Sequence, residues 1–434
     1  MDEAKKKILY IAWYFPPLGG VAALRSLKNV KYLARAGFEV QVLSVIPRWI
    51  RHPKDKTLLA ELPAAVKVHR AFCPDANWLY KALYGLMLHF LVRFLRQRVL
   101  IPDHEKLWLP FAKRALRPVL ASHPDFRAAV ISSGPPSSLE LGLVLRSRYS
   151  IPFICDFRDE WTNNPERINL DFPAATQSRE LRQEARVLAA AAGIVYLTPL
   201  MRKNFEKRYP WLAEKPSAVI PNGFDESDFA GLGSTTHKDV FHLVYSGSFY
   251  DRRQPDPLWQ AILGLIEQGK LDPDRFQVDI HGKNTRSFVL GKFATSPVLE
   301  KVVRFYPFQP YRASLSALLE SDALLLYIPS GKNTDSVLTG KIFDYLRSGK
   351  PILAIAPPSG LAAEIVTKAG TGFVADCSDL AGIAAQLLKL YQLWERGELA
   401  KLEPDREYVS QFSRASLARR LAELLAEVTA CGKN

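Results

Sequence analysis

Cysteine is scarce in this chain, which has only four cysteines among its 434 residues. Cys73, Cys155, Cys377 and Cys431 are scattered singly, without the close pairs of a zinc site or the regular spacing of a disulfide framework. Both a cysteine-rich zinc module and a disulfide scaffold are therefore disfavoured. Single cysteines suit a reducing compartment, so we expect a cytoplasmic protein.

Uncharged apolar runs long enough to span a bilayer are also missing. The nearest candidate, Trp78–Ile101, is rich in Leu, Phe and Tyr but contains Lys81, Arg93, Arg96 and Arg98. A basic, aromatic helix of this kind can lie in the membrane interface and contact anionic lipid. It can equally be a buried domain helix with its arginines at a solvated end. The sequence leaves both possibilities open.

Signal-peptide and nucleic-acid-binding motifs are absent too. The N-terminus passes from a short charged run into a strand-like apolar run, so we take Met1 as the mature start. No zinc finger, RNP or helix-turn-helix pattern accompanies the net charge of +14. The basic excess therefore favours an anionic membrane or phosphorylated ligands over nucleic acid. We expect a protein bound peripherally at the inner face of the plasma membrane.

What the sequence does contain is a repeated alternation of apolar strands and helices. With 48% hydrophobic and 24% charged residues, the chain is long enough for two α/β domains of about 200 residues each. The polar stretch Gly231–Asp239 is the best linker, which predicts domains at 1–230 and 231–405 and a C-terminal helix within 406–434. Apolar runs predict strands at Ile8–Trp13, Glu39–Val45, Ala129–Ser132, Ile151–Cys155, Gly193–Thr198, Ala218–Ile220, His242–Ser246, Gln277–His281, Val302–Phe305, Ala323–Ile328 and Pro351–Ile355.

Glycines follow the first predicted strand of each domain. Gly19 and Gly20 lack the GxGxxG spacing, so a dinucleotide cofactor is only weakly supported. They allow a ligand to approach the backbone closely, or they serve a structural turn. Gly247 holds the equivalent place in the second domain, with Arg252 and Arg253 shortly after it.

A dense group of charges follows the predicted strand Ile151–Cys155. Asp156, Arg158, Asp159 and Glu160 are close together in sequence, directly beside an apolar strand end. Charges packed at such a place should perturb one another's ionisation. The group therefore predicts a functional site rather than a solvated turn.

The stretch Asp335–Pro351 predicts a helix between two buried parallel strands. Ser336, Thr339 and Gly340 lie where the helix should start, and unpaired amides at such a start favour an anion. Asp344, about one turn further on, could accept hydrogen bonds from ribose hydroxyls. Many α/β crossover helices share these features, so a purely structural role stays open at this point.

Several segments together resemble the GT-B fold of the retaining glycosyltransferases of family 4. They are the loop Pro16–Gly20, the turn Pro221-Asn222-Gly223, the Gly247 loop and the helix end Ser348-Gly349-Lys350-Pro351. An SSGPP loop, a DFRD-W loop and a TGK-F-D-Y helix are similar to a branch in bacterial surface-polysaccharide pathways. The resemblance covers nearly the whole chain. It implies an α/β fold with two Rossmann-like doubly wound domains facing a central cleft and a C-terminal helix crossing back to the first domain.

The resemblance implies a donor site in the second domain. In that family a Glu-x7-Glu motif holds the nucleotide sugar; its second acid corresponds to Asp344, while its first falls on Ser336, a departure from the pattern. Asp344 would contact ribose, and the amides at the helix start would hold the diphosphate. The other residues implied to bind the donor are Gly19, Gly20, Gly247, Arg252, Arg253, Phe308, Val337, Leu338, Thr339 and Lys341.

The implied catalytic residues lie in the first domain. A histidine that contacts the transferred sugar in many family members falls near Arg158 here. Arg158 would add positive charge near the leaving diphosphate, while Asp156 or Asp159 would order it or bind acceptor hydroxyls. The family implies a front-face retaining transfer, in which the departing diphosphate helps to take the acceptor's proton.

The function implied is hexosyl transfer from a nucleotide diphosphate sugar, with a UDP-sugar favoured, to a lipid-linked or glycan acceptor in polysaccharide or glycoconjugate biosynthesis. The first domain would bind the acceptor. We expect no cofactor and no catalytic metal, because the DxD-like Asp272-Pro273-Asp274 is typical of a proline turn.

Two other functions stay open. A GT-B nucleotide-sugar epimerase would need a histidine and an acid placed for proton transfer; His281 ends a strand, but no partner acid can be assigned from the sequence. A non-catalytic assembly partner that has lost donor chemistry would explain the departures at Ser336 and Arg158.

Overall fold

Continuous apolar strands, which are buried on both faces, form a parallel sheet in each of two units. The computed structural model describes residues 6–164, 172–234, 239–249, 254–329, 331 and 334–431. Contacts divide the chain into a first unit, Met1–Pro221 with Arg414–Asn434, and a second unit, Asn222–Ser413. The domain boundary predicted from the sequence falls between residues 230 and 231.

The two sheets share one kind of topology. In the described residues, the first unit has seven parallel strands in the order β3-β2-β1-β4-β5-β6-β7, and the second has six in the order β10-β9-β8-β11-β12-β13. The strands are β1 (Lys7–Ile11), β2 (Glu39–Val45), β3 (Lys67–Ala71), β4 (Ala128–Ser132), β5 (Phe153–Asp156), β6 (Gly193–Tyr196), β7 (Ser217–Val219), β8 (Phe241–Ser246), β9 (Phe276–His281), β10 (Val303–Tyr306), β11 (Ala323–Tyr327), β12 (Ile352–Ile355) and β13 (Gly372–Ala375).

Helices connect the strands, as parallel pairing requires. They are α1 (Val21–Arg35), α2 (Ala76–Gly85), α3 (His89–Phe94), α4 (Leu109–Ser122), α5 (Glu140–Tyr149), α6 (Ala174–Ala190), α7 (Pro199–Arg208), α8 (Glu226–Phe229), α9 (Asp256–Glu267), α10 (Arg286–Leu290), α11 (Pro297–Val302), α12 (Tyr311–Leu319), α13 (Lys341–Ser348), α14 (Leu361–Lys368), α15 (Leu380–Glu395), α16 (Arg406–Ser410) and α17 (Arg414–Cys431). Shorter turns are 3₁₀ at Pro47–Trp49, Lys56–Glu61, His104–Trp108, Pro136–Leu139, Pro210–Glu214, Gly291–Phe293, Thr334–Ser336 and Leu399–Lys401, and π-helical at Leu95–Val99.

The first unit has a hydrophobic core on each face of its sheet. Successive side chains of a strand point to opposite faces, so Leu9 and Ile11 join one core while Ile8 and Tyr10 join the other. The second of these cores is covered by α1 and by the C-terminal helix α17. The predicted return of the C-terminal helix to the first domain is therefore confirmed.

The second unit repeats this three-layer arrangement. Leu243 and Tyr245 of β8 face a core shared with Trp259 of α9, whereas Val244 faces the opposite core. Ile342 of α13 packs in that opposite core. Helix α13 thus lies on the sheet as a crossover between β11 and β12, with its N-terminus at the carboxyl edge.

Residues 76–100, which we call the hairpin, do not form the single helix considered from the sequence. Helix α2 ends at Gly85, Met87 has a left-handed φ of 59°, and α3 then runs into the π-helical turn. Most of the hairpin is exposed rather than buried in a domain core. Its exposed large apolar side chains are Trp78, Leu79, Tyr84, Leu86, Met87, Phe90, Phe94 and Val99. None of the helices described has both the length and the apolar character needed to cross a bilayer.

Candidate functional site

The loops that follow β1, β4 and β5 meet at the carboxyl edge of the first sheet. The Ser133 amide donates to the Asp156 carbonyl at 2.9 Å, and the Arg158 amide donates to the Ser133 hydroxyl at 3.2 Å. These bonds hold the SSGPP loop against the charged loop after β5. The tertiary structure therefore brings two of the sequence motifs together.

Asp156 is buried at this edge and is paired with Arg25 of α1. The Arg25 guanidinium contacts both carboxylate oxygens, with the shortest distance, 2.6 Å, between Nη2 and Oδ1. It also donates at 2.9 Å to each of the carbonyls of Ile220 and Pro221. Both charged side chains are 1% exposed. Asp156 thus holds α1, β5 and the end of the β7 segment together.

Arg158 and Asp159 differ from Asp156 in exposure. Asp159 is exposed, and Arg158 is half-buried with its guanidinium 5.7 Å from the centre of the Tyr14 ring. The guanidinium also lies over Gly134, where a Cβ would overlap it. The Arg158 Nε is buried and has no hydrogen-bond partner among the described residues. Of the predicted catalytic residues, Arg158 is the one with a buried hydrogen-bond donor that an anionic ligand could use.

Two acidic residues that were not predicted from the sequence, Asp103 and Glu105, lie next to the SSGPP loop. Asp103 accepts hydrogen bonds from the Ser137 amide at 2.9 Å and from its hydroxyl at 2.6 Å. Burial, with a further contribution from the Glu105 charge, raises the pKa of Asp103 to about 7. Burial raises the pKa of Glu105 to about 6. The acids flank His104 in sequence, a local charge pattern that could have drawn attention to them.

Gly19 and Gly20 have backbone roles in the first unit. The Gly19 amide donates to the Pro53 carbonyl at 2.8 Å, and the His52 Nε2 lies 2.9 Å from the Gly19 carbonyl. Gly20 has a φ of 88° and precedes the first turn of α1. The loop after β1 is therefore held by the loop at residues 52–55.

In the second unit, Lys341 at the start of α13 lies beside the loop after β8. Gly247 has a φ of 140°, and a Cβ there would lie 2.6 Å from the Lys341 ammonium nitrogen. That nitrogen is 3.8 Å from the centre of the Tyr245 ring. The Ser246 amide donates to the Tyr345 hydroxyl at 3.0 Å, which ties the loop to α13. The structure therefore brings the predicted residues Gly247 and Lys341 together.

The segment before α13 offers hydrogen-bond donors to a ligand. Helix α13 begins at Lys341, two residues after Thr339. The Val337 amide donates to the Thr334 carbonyl at 3.0 Å, whereas the amides of Leu338 and Thr339 donate to no described residue. The Thr339 hydroxyl is buried and also has no partner in the described chain. Two of the three predicted amides and one hydroxyl are thus available.

Asp344 and Phe308 complete the described part of the predicted donor site. The Asp344 carboxylate accepts a hydrogen bond of 2.8 Å from the Tyr311 hydroxyl, which orients it in the first turn of α13. Phe308 is 49% exposed, with the Lys283 ammonium 5.8 Å from its ring centre. The predicted residues Arg252 and Arg253 lie outside the described residues.

Residues 27–228 match the family model Glycosyltransferase Family 4. A search of curated proteins by sequence found no significant match. Solved structures, in contrast, match along nearly the whole chain.

Three solved structures illustrate the likeness. A glycosyltransferase from Rickettsia africae has 14% identity and a TM-score of 0.59 and covers 98% of this chain and 99% of its own. WaaG, a glycosyltransferase involved in lipopolysaccharide biosynthesis, has 13% identity, a TM-score of 0.59 and coverage of 96% and 99%. Staphylococcus aureus TarM, in a complex that contains UDP, has 10% identity, a TM-score of 0.59 and coverage of 97% and 99%. The two parallel sheets and these matches confirm the predicted GT-B fold class.

Proposed function

We propose that this chain is a retaining glycosyltransferase that moves a sugar from a nucleotide diphosphate sugar to a lipid-linked or glycan acceptor. The observation that carries the proposal is the group of hydrogen-bond donors at the start of α13. It combines the Lys341 ammonium, the amides of Leu338 and Thr339 and the Thr339 hydroxyl. The family match over residues 27–228 supports transfer chemistry.

The donor diphosphate would bind at this group. Amides at a helix start and an adjacent ammonium favour a negatively charged group, and the buried Thr339 hydroxyl would gain the partner it lacks. Asp344, oriented by Tyr311, would accept hydrogen bonds from the ribose hydroxyls. A UDP-sugar is the favoured donor, because TarM and a trehalose-6-phosphate protein from E. coli, both similar in fold, were solved with UDP and with UDP-2-fluoro glucose.

The proposed reaction proceeds on one face of the sugar. The bond between the anomeric carbon and the donor phosphate oxygen breaks as the acceptor hydroxyl oxygen bonds to the same carbon. The acceptor's proton passes to the departing diphosphate. The protein's task is to stabilise the growing negative charge, for which Lys341 and the free amides are suited. We propose that Arg158 of the first unit also contributes positive charge. Asp156 acts indirectly, through Arg25, as a positioning residue.

We assign the hairpin to the surface of an anionic membrane. No Asp or Glu occurs from Ala76 to Pro102, and the hairpin arginines, Arg93, Arg96 and Arg98, are exposed beside the exposed apolar side chains. Arg51 lies 4.5 Å from the Trp78 ring centre, which adds a further positive charge. Apolar side chains flanked by basic ones are typical of segments that insert into the headgroup region.

Transfer assays test the function. Purified protein incubated with UDP-, GDP- and ADP-sugars and a membrane extract should transfer sugar from at least one donor to lipid-extractable material. Conversion of a UDP-sugar to its epimer without any acceptor would instead support an epimerase. His281 Nδ1 is buried and accepts or donates no hydrogen bond among the described residues, so no acid is bonded to it as the epimerase would need. Failure to bind any nucleoside diphosphate in calorimetry would support a non-catalytic partner.

A further inference from the structure

A cavity of about 470 Å³ lies within the first unit, between the hairpin and the chain segment that follows it. Tyr80 and Tyr84 line the cavity with aromatic rings, and Arg93 and Arg96 line it with positive charge. The acid pair, Asp103 and Glu105, lines it as well. Both signs of charge and two aromatic rings therefore face a space large enough for a small organic ligand.

Tyr80 gives independent evidence that the cavity is built for a ligand. Its side chain is buried, with 8% of the residue exposed, and it lines the cavity. Its hydroxyl has no hydrogen-bond partner among the described residues. Because a buried hydroxyl without a partner costs stability, such groups usually have a role beyond packing. A ligand with a polar group in the cavity would supply the missing partner.

The two arginines of the cavity are suited to phosphate. Both are exposed, and neither forms an ion pair with any residue the structure describes. The Arg96 guanidinium lies 6.0 Å from the centre of the Tyr80 ring, so it is close to the side chain whose hydroxyl has no described partner. Guanidinium groups bind phosphate with two parallel hydrogen bonds. A phosphate held by Arg93 and Arg96 would neutralise charge that the protein leaves unpaired.

The acid pair is suited to sugar hydroxyls. Raised carboxyl pKa values of about 7 and about 6 mean that Asp103 and Glu105 can be partly protonated near neutral pH. The pair can then donate as well as accept hydrogen bonds, as a hydroxyl-rich ligand requires. Asp103 also binds Ser137, which directly follows the SSGPP loop, and this places this end of the cavity at the carboxyl edge of the first sheet.

We propose that this cavity binds the phosphorylated sugar head of a lipid-linked acceptor. The phosphate lies at Arg93 and Arg96, and the sugar hydroxyls bind Asp103, Glu105 and the Tyr80 hydroxyl. The lipid tail follows the exposed apolar side chains that share the hairpin with the arginines. This assignment rests on the proposed function, since it names the acceptor class and the residues that recognise it.

The test measures binding of a synthetic lipid-linked sugar, phytanyl diphosphate N-acetylglucosamine, in uncharged detergent micelles. N-acetylglucosamine 1-phosphate and phytanol are the comparison ligands. Arg93→Ala and Arg96→Ala should each weaken binding of the lipid-linked sugar about tenfold, the loss of one charge-assisted contact. Tyr80→Phe, which keeps the ring and removes only the hydroxyl, should weaken it by about threefold to tenfold.

Arg98→Ala is the matched control, because Arg98 is exposed on the same hairpin but does not line the cavity. It should leave affinity for the lipid-linked sugar unchanged. Equal losses in Arg96→Ala and Arg98→Ala would overturn the proposal in favour of general charge attraction. Binding of N-acetylglucosamine 1-phosphate as tight as the lipid-linked ligand would overturn it in favour of a soluble phosphosugar.

Calorimetry with UDP separates this proposal from the proposed function. All four variants should bind UDP as the unmodified protein does, since the substituted residues lie in the first unit and the proposed diphosphate-binding group at the start of α13 lies in the second. If the unmodified protein binds the lipid-linked sugar but no nucleotide, the glycosyltransferase function fails while the cavity assignment stands. If it binds nucleotide but not the lipid-linked sugar, the cavity assignment fails alone.

Discussion

The buried pair of Arg25 and Asp156 allows a quantitative test of what holds the first unit together. Replacing Arg25 by Met removes the charge and keeps a long side chain in the space. The Asp156 carboxylate, 1% exposed, then loses its partner, and the carbonyls of Ile220 and Pro221 lose a donor. The variant therefore leaves an unpaired charge in a place that water cannot reach.

The expected loss is large. Breaking a buried ion pair by removing one partner destabilises proteins by about 3–5 kcal/mol. Each carbonyl left without its donor adds about 1 kcal/mol or more. Arg25→Met combined with Asp156→Leu replaces the pair with apolar side chains, so it should recover roughly 2–3 kcal/mol relative to Arg25→Met alone. Arg35→Met is the control, because Arg35 is exposed on the same helix.

Urea unfolding with hydrogen exchange measured by mass spectrometry checks this. Peptides covering α1 and β5 report on the first unit even if the two units unfold separately. A double variant as unstable as Arg25→Met would refute the reasoning, because it would show that the two charges are not coupled. The double variant also tests the predicted catalytic role of Asp156. Turnover retained in a folded double variant would exclude direct participation of the Asp156 carboxylate in the reaction.

Four further variants test the proposed donor site, the charged loop after β5, the hairpin and the buried acid Asp103. Asp344→Ala should weaken UDP binding by about 1–3 kcal/mol in calorimetry, whereas Glu364→Ala should not; unchanged affinity would remove Asp344 from the site. Arg158→Ala should lower turnover more than donor affinity, and equal losses in steady-state kinetics would argue against a transition-state role. Replacing Arg93, Arg96 and Arg98 together by Glu should abolish sedimentation of the protein with phosphatidylglycerol vesicles, while an unchanged circular dichroism spectrum shows that the fold is intact. Persistent binding of this variant would mean that another surface contacts the membrane. Because burial and Glu105 raise the pKa of Asp103 to about 7, the folded state keeps protons that the unfolded chain has lost, so the free energy of unfolding should fall as pH rises from about 4 to about 7. Asp103→Asn should flatten that slope in thermal unfolding, and an unaltered slope would contradict the assignment.

The central strands of both sheets could be predicted because a strand that is buried on both faces consists mostly of apolar residues. β1, β4, β8, β11 and β12 are fully or mostly buried, and continuous apolar runs indicate such strands. β3 and β13 were not predicted. β3 pairs on one side only and is partly exposed, so it does not need a continuous apolar run. β13 is apolar but only four residues long, and a run that short does not by itself distinguish a strand from a helix segment.

The hairpin shows a similar limit. Composition predicted a basic, aromatic, apolar segment, but not that it breaks after Gly85 with a left-handed residue at Met87. A glycine is compatible with a helix end as well as with a helix interior. The composition also does not distinguish Arg93 and Arg96, which line the cavity, from Arg98, which does not.

The sequence by itself determined the α/β class, the parallel sheets and the position of the α13 start. These features depend on neighbours in the chain, so local pattern is enough to predict them. Only the tertiary structure decided that Asp156 pairs with Arg25, 131 residues away, and that Asp103 binds Ser137. Contacts between distant segments depend on how strands are ordered in the sheet, and strand order is set by packing of the whole unit rather than by any one stretch of sequence.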